Sequence, residues 1–440
     1  MDPARPLDPK RLWEIRGQYY DLDPYLAEHP GGRRFLEQLR GTDCTAVFES
    51  THLHDRMPKA MMARFRVGAN PNASDTFDWD ADGFFGTVKR RVREHFEAEA
   101  KQRGLPRDQW RSVHHGTPAF IARLFALWAI WGALGVGAIV YGYWWCALPW
   151  GLFAFALGGY GHEAMHAGIF RSVWANRLVA LLTLDLQGLS SYVFTAIHVP
   201  LHHVYTNVKD IDPDIEVHFP LVRERPEQPH YWFHRAQWIY AWIIYMITLP
   251  ALWVNDFVTV TTGVWFGPYG RIRKPGLRES LYFLVFKVLS FTLFYAGPFW
   301  FHPWPQALGI AALMLDGGGL AVQTTFALNH QNERAMGLFR SRETPRDWGA
   351  LQVETTADFH HGGWLPATFF GGLGYQLEHH LFPTLSYSQL DRVAPIVRAA
   401  CAEFGLPYHY YPTVLHALAG HARFLYRASL PAPVNEPREA

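Results

Sequence analysis

Apolar residues are scattered before residue 118 of this 440-residue chain and come in long blocks after it. Blocks 119–141 and 143–161 each approach the roughly 20 residues that a bilayer-spanning helix needs. The first carries a single charge, Arg123, near its start, and the second carries none. Blocks 281–301 and 306–328 form another pair, in which Lys287 is expected to snorkel toward the interface. Asp316 lies inside the last block, followed by Gly317, Gly318 and Gly319. A carboxylate at that depth faces protein or water, either as a functional group or as a hydrogen-bonded structural one. A fifth apolar block, 237–254, has a place that depends on the topology.

The first third of the chain is patterned differently. Residues 1–68 predict a small soluble unit, and the polar, Pro- and Asn-containing stretch 69–81 reads as a linker. In 82–103 the apolar positions Phe84, Phe85, Val88, Val92 and Phe96 predict an amphipathic helix, expected on the membrane surface. The first 30 residues show no secretory signal. Formal net charge is +1, so no broad basic surface argues for nucleic acid. Three cysteines without metal-ligand spacing predict neither a disulfide framework nor a thiolate site, and fit a reducing compartment. Hydrophobic residues reach 49% of the chain, yet mean hydropathy is only −0.08, so apolar blocks alternate with polar ones.

The chemistry lies in histidine. Eight fall in four clusters near the ends of apolar blocks: HEAMH (His162, His166), HVPLHH (His198, His202, His203), NHQN (His330) and QLEHH (His379, His380). Imidazole is the commonest metal ligand among side chains, and eight exceed what one ion can use. On a helix, residues four apart share a face, whereas adjacent residues differ by about 100° and can reach different ions. The pattern predicts a two-metal site at a membrane face. Spacing alone does not choose among iron, zinc, copper and nickel. The isolated histidines, and the doublets His114–His115 and His360–His361, read as structural or as supports for ligands.

For the clusters at 162–203 and 330–380 to meet, an even number of crossings must lie between them. The pair 281–301 and 306–328 supplies two, so 237–254 is expected in the interface or as a re-entrant segment. The connections near 142 and at 302–305 lack Lys and Arg, whereas 162–235 and 331–427 are rich in arginine. The positive-inside rule therefore puts the histidines in the cytoplasm, below four spans.

In order and spacing, the three boxes H-x3-H, H-x3-HH and Q-x2-HH resemble those of the membrane fatty acid desaturases. Gln376 resembles the front-end group, which includes sphingolipid desaturases. Further matches are HHVYTN at 202–207, DPD at 212–214 and GGLGYQLEHHLFP at 371–383. The resemblance runs from about residue 82 to 395. It implies non-haem iron held by His162, His166, His198, His202, His203, His330, His379 and His380, with Gln376 as a ninth group. Glu163 stands where the family often shows Asp. Asp212, Asp214 and Asp358 match acidic or amide positions near the boxes, where they either orient ligand imidazoles or cap turns. The stretch YDLDPYLAEHPGG resembles cytochrome b5, which implies haem b with His29 as one axial ligand. His52 fits as the second, with His54 as its rival. Two imidazoles leave haem iron no open position, so such a haem passes electrons.

The implied fold is mainly α: a four-span membrane bundle with a cytosolic helical cap, plus a small α+β haem unit. Residues 1–68 would be the haem domain, 69–118 linker and amphipathic helix, and 119–430 the desaturase domain. The implied reaction is O2-dependent desaturation of a fatty acyl or sphingolipid chain carried as acyl lipid or acyl-CoA. Hydroxylation or acetylenation by the same site is the alternative. A third reading, from a different class, is a membrane haem protein that only carries electrons, or a metal transporter. With no flavin or nicotinamide fingerprint in the chain, electrons are expected from an external NAD(P)H-dependent reductase. The membrane is the bacterial inner membrane, or the endoplasmic reticulum in a eukaryote.

Overall fold

The computed structural model describes residues 8–54, 56–73, 76–215, 217–266, 270–335 and 346–431; residues 1–7 of the expected amino-terminal unit lie outside the described residues. In that unit β1 (Trp13–Ile15), β2 (Gln18–Tyr20) and β3 (Arg66–Ala69) form an antiparallel sheet in that order. β1 and β2 are joined at Arg16 (φ 49°) and Gly17 (φ 65°), the left-handed pair that a two-residue hairpin requires. Helices α1 (Arg33–Gln38), α2 (Thr45–Thr51) and α3 (Arg56–Met62) complete the unit. Trp13, Leu36, Leu39, Val47 and Phe48 fill its core, and the Trp13 indole donates to the Leu36 carbonyl at 2.7 Å.

α4 (Phe84–Gln102) is amphipathic, but its apolar stripe is buried in protein and not laid on a membrane. Phe84, Phe85, Val88, Val92 and Phe96 are at most 4% exposed and pack against α14 (Trp348–Thr355) and α17 (Leu390–Glu403). The partner face, with Val393, Val397 and Ala400, is as apolar as a bilayer and already in place. Residues 76–81 are docked too. Trp79 stacks on Trp348 at 5.9 Å, and the Asp78 N–H donates to the Arg346 carbonyl at 2.7 Å. Lys89 of α4 reaches back to Glu49 of α2, Nζ to Oε2 2.8 Å, with both side chains buried.

The apolar blocks form a bundle. α5 (Pro118–Ile139) opens with Pro118, and Thr117 Oγ1 accepts the Phe120 N–H, so two of its free donors are dealt with. α6 (Trp144–Met165) returns along α5, and the 27-residue α13 (Trp304–His330) packs along α6. The glycine run serves this packing: a Cβ on Gly151 or Gly319 would overlap the backbone carbonyls of Met314 and Met246. At one end His302 donates to the Ile139 carbonyl at 3.0 Å, tying the two short connections together. Tyr141, Tyr143, Trp144, Trp145, Trp300 and Trp304 are exposed there, as in an interfacial aromatic belt. The histidines lie at the opposite ends of α6 and α13.

Among the described residues, α5 and α13 are the two helices long and apolar enough to cross a membrane by length and composition. The expected span 281–301 is broken into α11 (Leu277–Ser290), a π turn at Phe291–Tyr295 and α12 (Pro298–Phe301). α7 (Val173–Thr183) and α8 (Ser191–Ile197) form one sharply bent pair. α9 (Gln237–Met246) and α10 (Thr248–Thr262) form another, bent by 65° as a re-entrant segment or a broken span would be. α15 (Trp364–Phe369), α16 (Gln376–Leu381), α18 (Val414–Ser429) and the parallel pair β4 (Asp358–Phe359) and β5 (Tyr410–Tyr411) complete the chain.

Lys287 does not snorkel. It is 2% exposed, and its Nζ lies 2.7 Å from Asp256 Oδ2 and 2.5 Å from the Gly188 carbonyl, joining α11 to α10 and to the bend after α7. A carboxylate within reach inside the protein outcompetes a distant interface. Lys287→Met should therefore strand a buried carboxylate and cost about 3–5 kcal/mol. Lys287→Met with Asp256→Leu should recover most of that loss. Denaturant unfolding in detergent reads both, and equal stability of the single and double variants would contradict the pairing.

Candidate metal centre

The three boxes and His330 are carried on four pieces of structure. His162 and His166 end α6, His330 ends α13, His379 and His380 lie on α16, and His198–His202 forms a π turn continuing α8. His198 and His202 lie side by side as their spacing predicts, but on a π turn and not on a regular α-helix. The turn's hydrogen bond runs from the His203 N–H to the His198 carbonyl, 2.9 Å, which brings His198 and His203 together while the His202 ring still stacks on His198 at 5.0 Å and shares a further possible ligand group with His198 and Asp214.

The eight imidazoles gather into two buried groups. His162, His166, His198, His203 and His379 form one and His202, His330 and His380 the other; each residue offers a nitrogen within 4.8 Å of the others in its group. In the first group His198 Nε2 lies 2.7 Å from His162 Nε2 and 2.9 Å from His203 Nε2. In the second, ring centroids are 4.8–5.0 Å apart. The groups adjoin where His203 stacks on His380 at 4.3 Å. Gln376 Nε2 is 3.2 Å from both His330 Nε2 and His380 Nε2, and turning the amide by 180° aims its oxygen at them instead.

These nitrogens fit a metal better than they fit each other. His166 Nε2, His202 Nε2, both ring nitrogens of His379 and Gln376 Oε1 are buried without a hydrogen-bond partner in the protein. Unsatisfied buried polar atoms are rare in folded proteins and each costs about 1–3 kcal/mol. Burial holds His203, His379 and His380 well below the ordinary imidazole pKa, with neighbouring imidazoles adding to the effect. Their lone pairs stay free for an ion.

Outward-facing nitrogens are held by the fold. His202 Nδ1 is 3.0 Å from Asp212, which also accepts the Asn207 N–H at 2.9 Å. Asn207, at φ 56°, sends its amide to the carbonyls of His330 and Thr355, 2.9 and 3.0 Å, pinning the second box to α13. Burial pulls the His202 pKa down, but Asp212 and Asp214 outweigh it and hold it above the ordinary value. His380 Nδ1 meets Thr206 Oγ1 and Gln352 Oε1, both at 3.0 Å, and His162 Nδ1 is hydrogen-bonded to the Tyr387 hydroxyl. Such partners fix the tautomer, so that Nε2 faces inward. Gly372 makes room for the Tyr387 ring, which a Cβ would strike. Asp358 accepts the Leu377 N–H at 2.8 Å and so anchors the first turn of α16, while Asp214 lies 3.8 Å from His198 Nδ1. Tyr387, Thr206 and Gln352 were not singled out by sequence, where nothing marks them beyond proximity of Tyr387 and Thr206 to a box.

The remaining histidines stay outside both groups. His361 pairs with Asp358 at 3.1 Å, His218 with Glu224 at 3.1 Å, and His421 Nδ1 donates to the Gln331 carbonyl at 2.6 Å.

In the amino-terminal unit His29 and His52 face each other with ring centroids 6.3 Å apart. Two imidazoles on opposite sides of one iron, with bonds of about 2 Å, sit at roughly that separation. His52 Nδ1–H donates to the Phe48 carbonyl at 2.9 Å, which leaves its Nε2 as the lone-pair nitrogen, and the Gly31 N–H lies 3.2 Å from His29 Nδ1. Burial pushes both pKa values down to about 4. His54 points elsewhere: its Nε2 lies 3.2 Å from His114 Nε2 and its Nδ1 3.4 Å from Glu97. The two units touch again where Thr384 Oγ1 donates to the Thr51 carbonyl at 3.2 Å.

Comparison with known proteins agrees with this architecture. The family model "Fatty acid desaturase" matches residues 140–412, and "Cytochrome b5-like Heme/Steroid binding domain" matches residues 5–70. The sn-1 linoleoyl-lipid 6-desaturase of Arthrospira platensis is 30% identical over 79% of this chain and 93% of its own length. The probable Delta(5) fatty acid desaturase C of Dictyostelium discoideum is 28% identical over 94% and 91%. The chloroplastic acyl-lipid (7-3)-desaturase of Chlamydomonas reinhardtii is 29% identical over 93% and 79%. A desaturase match over most of the chain, a b5-like match before it and apolar helices ending in histidine agree: the chain belongs to the fatty acid desaturase family, membrane oxidoreductases, and carries an amino-terminal cytochrome b5-like domain.

Proposed function

We propose that this enzyme is a front-end acyl-lipid desaturase, acting on a fatty acyl or sphingolipid chain at two non-haem irons reduced through its own haem. The observation that carries the reading is the convergence of eight buried imidazoles into two adjoining groups with inward nitrogens left unpartnered. One iron would be held by His162, His166, His198, His203 and His379, the other by His202, His330, His380 and the Gln376 oxygen. Irons there supply O2 activation and hydrogen removal from an unactivated methylene. Desaturation takes two hydrogens from the chain and O2 leaves as two waters, so each turnover needs two more electrons and two protons. His29 and His52 would hold haem b, which would supply single-electron transfer. An external NAD(P)H-dependent reductase supplies the electrons.

The residues around the irons hold and shield. Asp212, Gln352, Thr206 and Tyr387 fix imidazole orientation, and burial excludes water. Phe194 stacks on His198 at 4.3 Å, and Phe326 lies 5.4 Å from His202 and 5.1 Å from His330. These rings, on α8 and on the membrane stretch of α13, offer an apolar floor for an acyl chain. The arginine-rich histidine side faces the cytoplasm, and the aromatic belt near Trp144 and Trp304 faces away from it. The front-end assignment leans on Gln376 and on relatives named as 6-, Delta(5) and (7-3)-desaturases.

Feeding defined fatty acids to an expressing host should give products lighter by 2 mass units; products heavier by 16 would replace desaturation with hydroxylation. His162→Ala and His380→Ala should abolish turnover and remove non-haem iron while leaving the haem spectrum intact. Asp212→Ala should weaken iron retention about 10–100-fold, read by chelator competition. His29→Ala or His52→Ala should erase the haem Soret band and spare non-haem iron, whereas His54→Ala should keep the band. Haem loss in the His54 variant alone would reverse that assignment.

A further inference from the structure

A haem carries two carboxylate side chains as well as an iron, and a cation that acts on both His29 and His52, Arg111, comes from outside the b5-like unit. The 3-10 helix Arg107–His114 precedes α5 and belongs to the membrane unit. It meets the haem unit through His114, whose ring stacks on His54 at 5.0 Å with 2° between the planes. Residues three apart in a 3-10 helix are eclipsed, so Arg111 stands over His114 on the same face. Its charge acts on Tyr25, His29, His52 and His54 alike, and Tyr25 itself lies edge-on to His29 at 5.8 Å. Beside it is Arg171, which donates to the Asp108 carbonyl of the same 3-10 helix at 3.2 Å and whose charge bears on Arg111. Among the described residues neither guanidinium has a carboxylate partner. Arg111 thus stands near His29 and His52 with a second like charge, Arg171, beside it, and among the described residues no carboxylate pairs with either.

We propose that Arg111, with Arg171 beside it, binds the haem propionates, so that the haem is clamped between the two units and not carried by the b5-like unit alone. This rests on the reading of His29 and His52 as haem ligands. A guanidinium fork matches a carboxylate in two parallel hydrogen bonds, stronger than neutral ones. The same segment leads to the metal centre. The Ser386 N–H donates to the His114 carbonyl at 2.8 Å, and Ser386 precedes Tyr387, which holds His162. Propionate binding would therefore dock the donor haem on the stretch of chain that braces the first imidazole group.

The test is the rate at which full-length protein in detergent yields haem to excess apomyoglobin. It is run for the wild type, Arg111→Gln, Arg111→Lys and Arg171→Gln, each loaded with haem b or with haem dimethyl ester, whose propionates carry no charge. Arg111→Gln should release haem b roughly tenfold faster than wild type, with Arg171→Gln in the same direction and Arg111→Lys between. The wild type should release the ester faster than haem b, and Arg111→Gln should make no difference to the ester. Equal release of haem b by wild type and Arg111→Gln, or equal acceleration with the ester, overturns the inference while the haem assignment stands. A wild-type chain without a Soret band overturns that assignment and the inference with it. The ester arm on wild-type protein keeps the test decisive even if Arg111→Gln does not fold.

Discussion

The fold is organised around the cost of burying eight imidazoles within a few ångströms of one another. Each inward nitrogen without a partner is unfavourable by itself, and protonating rings such as His379 and His380 in place would be worse, as burial holds their pKa values well below the ordinary one. The fold offsets part of this cost through outward ring contacts to four of the eight, His162, His202, His330 and His380. Asp212, Thr206, Gln352, Tyr387 and the Thr355 carbonyl each take a nitrogen that would otherwise add to the penalty. Metal binding would supply the remainder, which couples the stability of α6, α8, α13 and α16 to the occupancy of the centre.

The arrangement of the b5-like unit follows from the same economy of rigid contact. A tethered donor gains only local concentration, set by linker length. Here the stretch after β3 is stacked onto Trp348, α4 is sunk into α14 and α17, and Lys89 is paired with Glu49 inside the interface. The haem-ligand segment and the segment after the third box touch directly, through Thr51 and Thr384. If the haem relays electrons as proposed, rigid docking of this kind would favour a fixed path over diffusive encounter.

The histidine boxes and HPGG were legible because metal chemistry restricts residue type and spacing together. The supports were not, since pairing depends on contacts across long stretches of chain. Tyr387 braces His162 from 225 residues away, and Gln352 meets His380 from 28. The stripe of α4 was visible, but periodicity says only that a face is apolar, not whether lipid or α17 will cover it. The same limit applies to Lys287, whose partner Asp256 lies on a bent helix pair that hydropathy alone leaves ambiguous. The π turn at His198–His202 escaped for a different reason. Four-residue spacing places His202 beside His198, and the extra residue wound into the turn adds His203 to the same neighbourhood, 2.9 Å from His198 between the ring nitrogens.

The two HH doublets make the spacing between the metal groups a covalent matter. His202 and His203 are chain neighbours, as are His379 and His380, and in both doublets one member joins each group. Adjacent side chains on a helix diverge by about 100°, so neither doublet can close on a single ion without unwinding. Two helices thus set the same separation independently, and tertiary adjustments cannot easily change it. What tertiary structure can change is depth. α6 and α13 both reach the centre with their last turns, and their close packing through Gly151 and Gly317 ties the level of the imidazoles to the level of the helices. On the proposed reading, which carbon of an acyl chain met the metals would be governed by how far below these last turns the chain could extend.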